Sequence, residues 1–201
     1  QLGEQDPNEE GNLLNSRFEP IGPKARLLNF EIEYSSGSQN QLSYWQENNL
    51  LEGVPANLSN IDSIPVFQDE LQLDYEELKQ NHPDQLQKYA KGYLDINCAH
   101  CHRPEGGAGY TGLLLEYWRA YAGNEGKHGR CKGPIASSHP TMPYDLTPGN
   151  KDTSFLYYRI NITPEDDAKR MMPELGRTLI HEEGAELVGA WIDSLEPDPC
   201  E

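Results

Sequence analysis

Apolar residues fall into helical spacing mainly in the second half of the chain. Leu86, Tyr89, Ala90, Tyr93 and Leu94 recur at i, i+3, i+4, i+7 and i+8, and Pro83 suits a first helical position. The spacing predicts a helix from about Asn81 that runs through Ile96-Asn97 and delivers Cys98 at its end. A last helix is predicted over Leu179–Leu195, capped by Thr178, with the stripe Val188, Trp191, Ile192 and Leu195; Pro197 and Pro199 stop it. Between them a short helix, Ser154–Ile160, carries Phe155, Leu156 and Tyr158, with Asp152 or Thr153 as its cap. Upstream, one helix is predicted over Asn40–Leu51 through Leu42, Trp45 and Leu50. The rest of residues 19–75 is broken by turn signals at Pro20, Gly22-Pro23, Ser35-Ser36-Gly37, Gly53 and Pro65 and reads as an irregular wrap. Residues 1–18 read as a polar arm. No stretch alternates convincingly enough for a strand. The pattern therefore predicts a mainly α chain with long loops, divided into a polar N-terminal extension, residues 1–80, that wraps or docks on a helical domain, residues 81–201.

Charge narrows the function. The 201 residues carry 33 acids and 16 bases, a net charge of −17. Such a chain has nothing to neutralise a run of phosphates, which excludes nucleic acid, and an anionic membrane surface would repel it. No apolar run is long enough for a transmembrane helix. The sequence opens at Gln1 without an apolar leader, so the expectation is a mature or trimmed form if the chain is exported.

The decisive motif is Cys98-Ala99-His100-Cys101-His102. Two thiols three residues apart at a helix end can each add to a vinyl group of one haem, and the adjacent imidazole then lies under the iron. On this reading Cys98 and Cys101 form thioethers, His102 is the proximal ligand and His100 has no required role. The rival readings are a zinc site or a redox dithiol. Zinc needs a fourth ligand and usually a second paired motif, which Cys131 and Cys200 do not form in sequence. A redox Cys-x-x-Cys sits normally near a strand–helix pattern.

A haem iron held by His102 is either six-coordinate or open on its far side. The sixth-ligand candidates are Met142, Met171, Met172 and histidines 82, 100, 128, 139 and 181. Met172 is favoured: it precedes Pro173, which stiffens the chain, and lies on the loop before the last helix. A methionine otherwise fills core gaps.

These residues resemble a class I cytochrome c: an N-terminal helix entering the Cys-x-x-Cys-His motif, a methionine loop and a C-terminal helix. The segments 93–102, Cys131-Lys132-Gly133-Pro134, Tyr144-Asp145-Leu146-Thr147-Pro148-Gly149 and Met171-Met172-Pro173-Glu174-Leu175-Gly176-Arg177 resemble, more narrowly, little-characterised exported bacterial cytochromes often described as di-haem. Glu19–Arg26, with Asn40-Gln41-Leu42 and Trp45, resembles their upstream segment. Relatives commonly carry a second Cys-x-x-Cys-His upstream; this chain has one such motif, so the di-haem description does not carry over. The resemblance implies a class I cytochrome c helical fold around one covalent haem c, with Met172 as the axial methionine. It also implies Pro134 as the residue whose carbonyl accepts from the proximal imidazole. Arg177 is implied as a propionate partner, or equally as an ordinary surface arginine. Trp118, Tyr157, Tyr158 and Trp191 are candidates for the haem wall, each also readable as plain core.

With the haem taking Cys98 and Cys101, Cys131 and Cys200 are the one intramolecular pair left, and export permits a disulfide; the alternative is a free or intermolecularly bridged Cys200. The acid excess reads first as a solvated surface and second as a docking face for a basic redox partner. The Asp166-Asp167 and Lys169-Arg170 pairs read as a polar loop. Together these readings give a periplasmic or extracellular mono-haem cytochrome that carries single electrons and is not itself an enzyme. The rivals are a haem peroxidase or gas sensor with an open sixth position, and a non-catalytic module of a larger redox complex. Donor, acceptor and oligomeric state are not legible.

Overall fold

The computed structural model describes residues 23–65 and 74–200, which belong to two compact units. Helical residues make up 41% of the described chain and strand or bridge residues 8%, so the chain is mainly α with one small sheet. No helix among the described residues is long and apolar enough to cross a membrane. The arm at residues 1–18 lies outside the described residues.

The first unit holds helix α1 (Ala25–Leu28), an antiparallel hairpin of β1 (Glu31–Tyr34) and β2 (Gly37–Asn40), and helix α2 (Gln41–Glu47). Its organiser is a pair of asparagines. Asn40 caps α2 by accepting from the Leu42 amide at 3.0 Å and donates to Asn29 Oδ1 at 3.0 Å. Asn29 in turn donates to the Ile61 carbonyl at 2.8 Å, which draws the incoming and outgoing chain together. Helix α2 is shorter than its apolar spacing predicts. Asn49 adopts a left-handed backbone (φ 58°), which ends the helix and leaves Leu50 exposed. The hairpin is an element that pattern reading missed: four-residue strands give too few repeats of Glu31-Ile32-Glu33-Tyr34 to stand out.

The second unit is built on three mutually packed helices, α3 (Tyr75–Asn81), α4 (Pro83–Asn97) and, after the short α5 (Phe155–Ile160) and α6 (Pro164–Asp167), the final α7 (Glu182–Ser194). Helix α3, which the spacing does not predict, crosses the expected boundary at residue 80; Asp74 caps it by accepting from the Glu77 amide at 3.0 Å, and its Leu78 joins the core. Leu86, Ala90 and Leu94 of α4 meet Leu187, Val188, Trp191 and Ile192 of α7 in that core. The two helices approach closely because position 184 lacks a side chain: a Cβ on Gly184 would fall inside the Tyr93 ring. Helix α7 begins three residues later than its spacing predicts, and Thr178 is not its cap. Leu179 is 78% exposed and its carbonyl is engaged by Arg177, so this stretch belongs to the preceding loop. The polar stretch at 166–170 opens inside a short helix, as Asp166 and Asp167 are the last two residues of α6. Thr163 and Asp166 form a reciprocal capping box on α6, and Asp167 pairs with Arg170 at 2.6 Å.

Helix α4 also has a buried polar face, which fixes the chain that follows the Cys-x-x-Cys-His motif. Lys91 donates to the carbonyls of Tyr117 and Arg119, and Asp95 accepts from the Tyr117 amide at 2.7 Å. Farther along, the segments 129–132 and 144–146 pair through their backbones, Leu146 N to Gly129 O at 3.0 Å and Asp145 N to Lys132 O at 2.7 Å. Phe155 N and Leu156 N then donate to Tyr144 O and Asp145 O, which fixes the start of α5. A disulfide joins Cys131 to Cys200, tying the tail to this paired segment.

Two outcomes are expected. Gly184→Ala should destabilise the protein by about 1–3 kcal/mol through the α4–α7 contact, measured by chemical denaturation. His128, almost fully buried with Nε2 3.1 Å from Arg119 O, has its pKa pulled down to about 4, by burial first and then by Lys91. A depressed histidine stabilises the fold fully above its unfolded value of 6.5, and that stability is lost as pH falls toward 4. The expected slope is up to about 1.4 kcal/mol per pH unit. Removal of that component in His128→Gln, by denaturation at several pH values, checks it.

Candidate functional site

Helix α4 does not stop at Asn97 but tightens. The Cys98 and Ala99 amides both donate to Leu94 O, at 2.9 and 3.1 Å, and the Cys101 and His102 amides both donate to Cys98 O, at 3.1 and 2.9 Å. These turns bring both thiols and the imidazole to one end of the helix. Cys98 and Cys101 are half-buried thiols not joined to each other. The following glycines serve this turn. A side chain on Gly106 would collide with the Cys101 carbonyl, to which Ala108 N donates at 3.1 Å.

His102 is held on two sides. Its carbonyl accepts from Leu115 N at 2.9 Å, and its ring Nδ1 lies 3.2 Å from Leu113 O. A carbonyl only accepts, so Nδ1 carries the proton and Nε2 is the lone-pair nitrogen. Nε2 has no hydrogen-bond partner among the described residues. Burial pushes the His102 pKa below its ordinary value; the Leu113 bond opposes this, while the charges of Arg159, His100 and Lys132 add to it. The ring is therefore neutral and its Nε2 is in the form that binds a metal. The acceptor is Leu113, which corrects the expectation of Pro134. Pro134 lies 32 residues after His102, half-buried in the segment beside Lys132, whereas the chain doubles back on the histidine eleven residues on, at Leu113.

The donors suit a haem better than zinc. A tetrahedral zinc needs its ligand atoms gathered around one point. The Cys98 and Cys101 sulfurs and the His102 nitrogen form no such cluster among the described residues, where the one close group is Cys131, Asp198 and Cys200. The sulfurs of that group are spent in the disulfide. Two half-buried thiols set apart from an oriented imidazole fit a group bonded at its periphery by sulfur and at its centre by nitrogen.

Met172 lies on the loop between α6 and α7, its peptide bond to Pro173 cis and its amide donating to Arg159 O at 2.9 Å. Met172 is half-buried, whereas Met171 is 4% exposed and belongs to the core. Met142 lines a different cleft, with Asp152, Tyr157, Tyr158 and Asn161. Tyr158 also packs against His139, ring centroids 4.9 Å apart, and against Phe155. Trp118 is 56% exposed with the Arg119 guanidinium 4.7 Å over its ring, so it walls no buried space. Trp191 is core, edge-on to Tyr121.

Arg177 is also corrected. Nη1 donates to Ile160 O and Leu179 O, at 3.1 and 3.3 Å, and Nη2 to Arg159 O and Ile162 O, at 3.3 and 2.7 Å. It thus closes the open carbonyls at the end of α5, which a helix terminus leaves unpaired. Because Arg159 O also receives Met172 N, Arg177 helps to set the methionine loop. Two participants were missed in sequence. Leu113 acts through a carbonyl, which any residue possesses. Arg159 had a signal, as the lone cation of the otherwise apolar Phe155-Leu156-Tyr157-Tyr158 helix.

No protein-family model, curated protein or solved structure matches this chain.

Arg177→Gln is expected to cost about 2 kcal/mol of stability, the scale of charged hydrogen bonds to buried carbonyls. Amide hydrogen exchange should rise at Met172 and through the 160–180 loop while the centre of α4 stays protected; an unchanged loop would refute the role.

Proposed function

We propose that this chain is a mono-haem c-type cytochrome that carries single electrons in an exported respiratory or redox chain. The observation that carries the reading is the His102 ring, oriented through Nδ1 by Leu113 O with Nε2 left as a neutral donor, beside two thiols at the end of α4. Cys98 Sγ–H and Cys101 Sγ–H would each add across a vinyl double bond to give thioethers. His102 Nε2 and the Met172 sulfur would be the axial pair. When bound, haem c supplies a one-electron ferric–ferrous couple.

The remaining work belongs to the protein. Leu113 O fixes the plane of the His102 ring and strengthens its donor nitrogen. Leu113 and Leu115, both buried, limit water on the His102 side. Arg177 and Arg159 O hold the methionine loop against α5, so the axial pair would stay in place in both oxidation states and little rearrangement would accompany transfer. Met172 as the second ligand would favour a carrier over a peroxidase. The Cys131–Cys200 bond suits an oxidising compartment, periplasmic or extracellular. The net charge of −17 suits a basic redox partner, with association that weakens as salt rises.

The test is expression with c-type maturation. The haem should survive denaturation and acid–acetone extraction, and Cys98→Ala with Cys101→Ala should abolish its retention. In the ferric protein, the weak near-infrared charge-transfer band of histidine–methionine ligation should vanish in Met172→Ala. A wild-type protein without covalent haem would overturn the proposal; haem that is high-spin in the wild type would overturn the carrier function.

A further inference from the structure

Two cationic side chains, Arg159 and Lys132, act on His102 in this structure, as does the neighbouring His100. Lys132 is already committed, with Nζ 2.8 Å from Asp145 Oδ2 and 3.1 Å from Gly133 O. Arg159 differs. Its Nε donates to Arg170 O at 2.7 Å, and its guanidinium lies 5.3 Å over the ring of Phe155, which is fully buried. Its two terminal nitrogens have no hydrogen-bond partner and no carboxylate within ion-pair distance among the described residues. They are also not sealed inside the protein. Glu174, Asp145 and Tyr110 face it at longer range, and Arg170 adds a like charge.

A cation packed on an aromatic ring, drawn partly out of water and without a carboxylate at ion-pair distance is costly, and an anion at its fork reduces that cost. Arg177 is not available for such a task, because four backbone carbonyls take its terminal nitrogens. We propose that Arg159, and not Arg177, is the arginine that binds a haem propionate in this protein. The two η nitrogens of Arg159 face a carboxylate while its own carbonyl holds the Met172 amide, so one residue joins the carboxylate edge of the cofactor to the loop of its axial methionine. This rests on the haem reading above.

The test uses the haem-loaded full chain and compares Arg159→Gln, Arg159→Lys and Arg177→Gln with wild type. The readouts are midpoint potential from pH 5 to 9 and the propionate-sensitive low-frequency resonance Raman bands. In Arg159→Gln the propionate loses its counter-charge. The potential should shift down and gain a pH dependence in which it falls as pH rises, because the carboxyl now titrates within the range. Arg159→Lys should keep the wild-type potential but move the propionate bands, since it keeps the charge and loses the fork; it also serves as the deciding variant if the glutamine protein does not accumulate. Arg177→Gln should lose thermal stability and loosen the methionine loop, but leave the propionate bands unmoved and give the potential no new pH dependence. A downward shift equal at all pH values, with unmoved Raman bands, would show a through-space charge effect and overturn the contact. So would an unaltered Arg159→Gln, or a pH-dependent shift in Arg177→Gln. Failure of the haem reading looks different, as the absence of covalent haem in wild type.

Discussion

The site depends on one hydrogen bond, from His102 Nδ1 to the carbonyl of Leu113 at 3.2 Å. A histidine this buried has two bad options, an unpaired ring nitrogen or an uncompensated charge. The carbonyl removes both by fixing the neutral tautomer with its proton on Nδ1. For that bond to exist, the chain must double back within eleven residues, and the intervening segment is built for the purpose. Gly106 packs on the Cys101 carbonyl where a side chain would not fit, and Leu115 N closes the return on His102 O. Lys91 and Asp95, one helical turn apart on α4, then clamp residues 117–119. Burying a lysine and an aspartate is unfavourable unless both find partners; here backbone groups of the returning loop supply them. The buried polar face of α4 and the orientation of the imidazole are thus parts of one arrangement.

Charge at the site runs against charge in the chain. The net value is −17, yet the charged side chains that act on His102, after burial and the Leu113 bond, include the cations Arg159 and Lys132 and no carboxylate. The two facts are compatible because exposed acids are screened within about 8–10 Å at moderate salt, while partly buried charges are screened much less. The long-range field therefore concerns encounter with a partner, and the local field concerns the histidine. Asp145 illustrates the divide: burial raises its pKa, Lys132 at 2.8 Å opposes that, and the pair is locally neutral. That neutrality is what singles out Arg159 among the nearby cations.

The helices that build the site were legible because each has a wide apolar face with several repeats; α4 begins at Pro83 and the stripe Val188, Trp191 and Ile192 is fully buried. Boundaries were less legible. Thr178 has the chemistry of a cap, but Arg177 recruits the carbonyls around it into a loop, and that tertiary demand outweighs the local preference. The motif residues were legible by identity, since thiol and imidazole chemistry belongs to few residue types. The ring's partner was not, because a backbone acceptor is set by the path of the chain. Cys131 and Cys200 were singled out by elimination, an argument from counting that needs no geometry.

The two arginines near α5 show why residue identity alone does not decide an arginine's role. Both sit at the end of the same short helix, where unpaired carbonyls attract a cation. A guanidinium has five donors and no acceptor, so its role follows from what those donors already hold. Arg177 reaches the end of α5 from a later loop and meets four carbonyls, Arg159 O among them. Arg159 projects from the last turn of the helix itself, cannot fold back onto its own carbonyl row, and spends one donor on Arg170 O. The same Arg159 carbonyl receives both Arg177 and Met172 N, so the backbone of Arg159 is anchored by Arg177. One arginine is consumed in fixing a loop and thereby holds the other in place with its terminal nitrogens uncommitted.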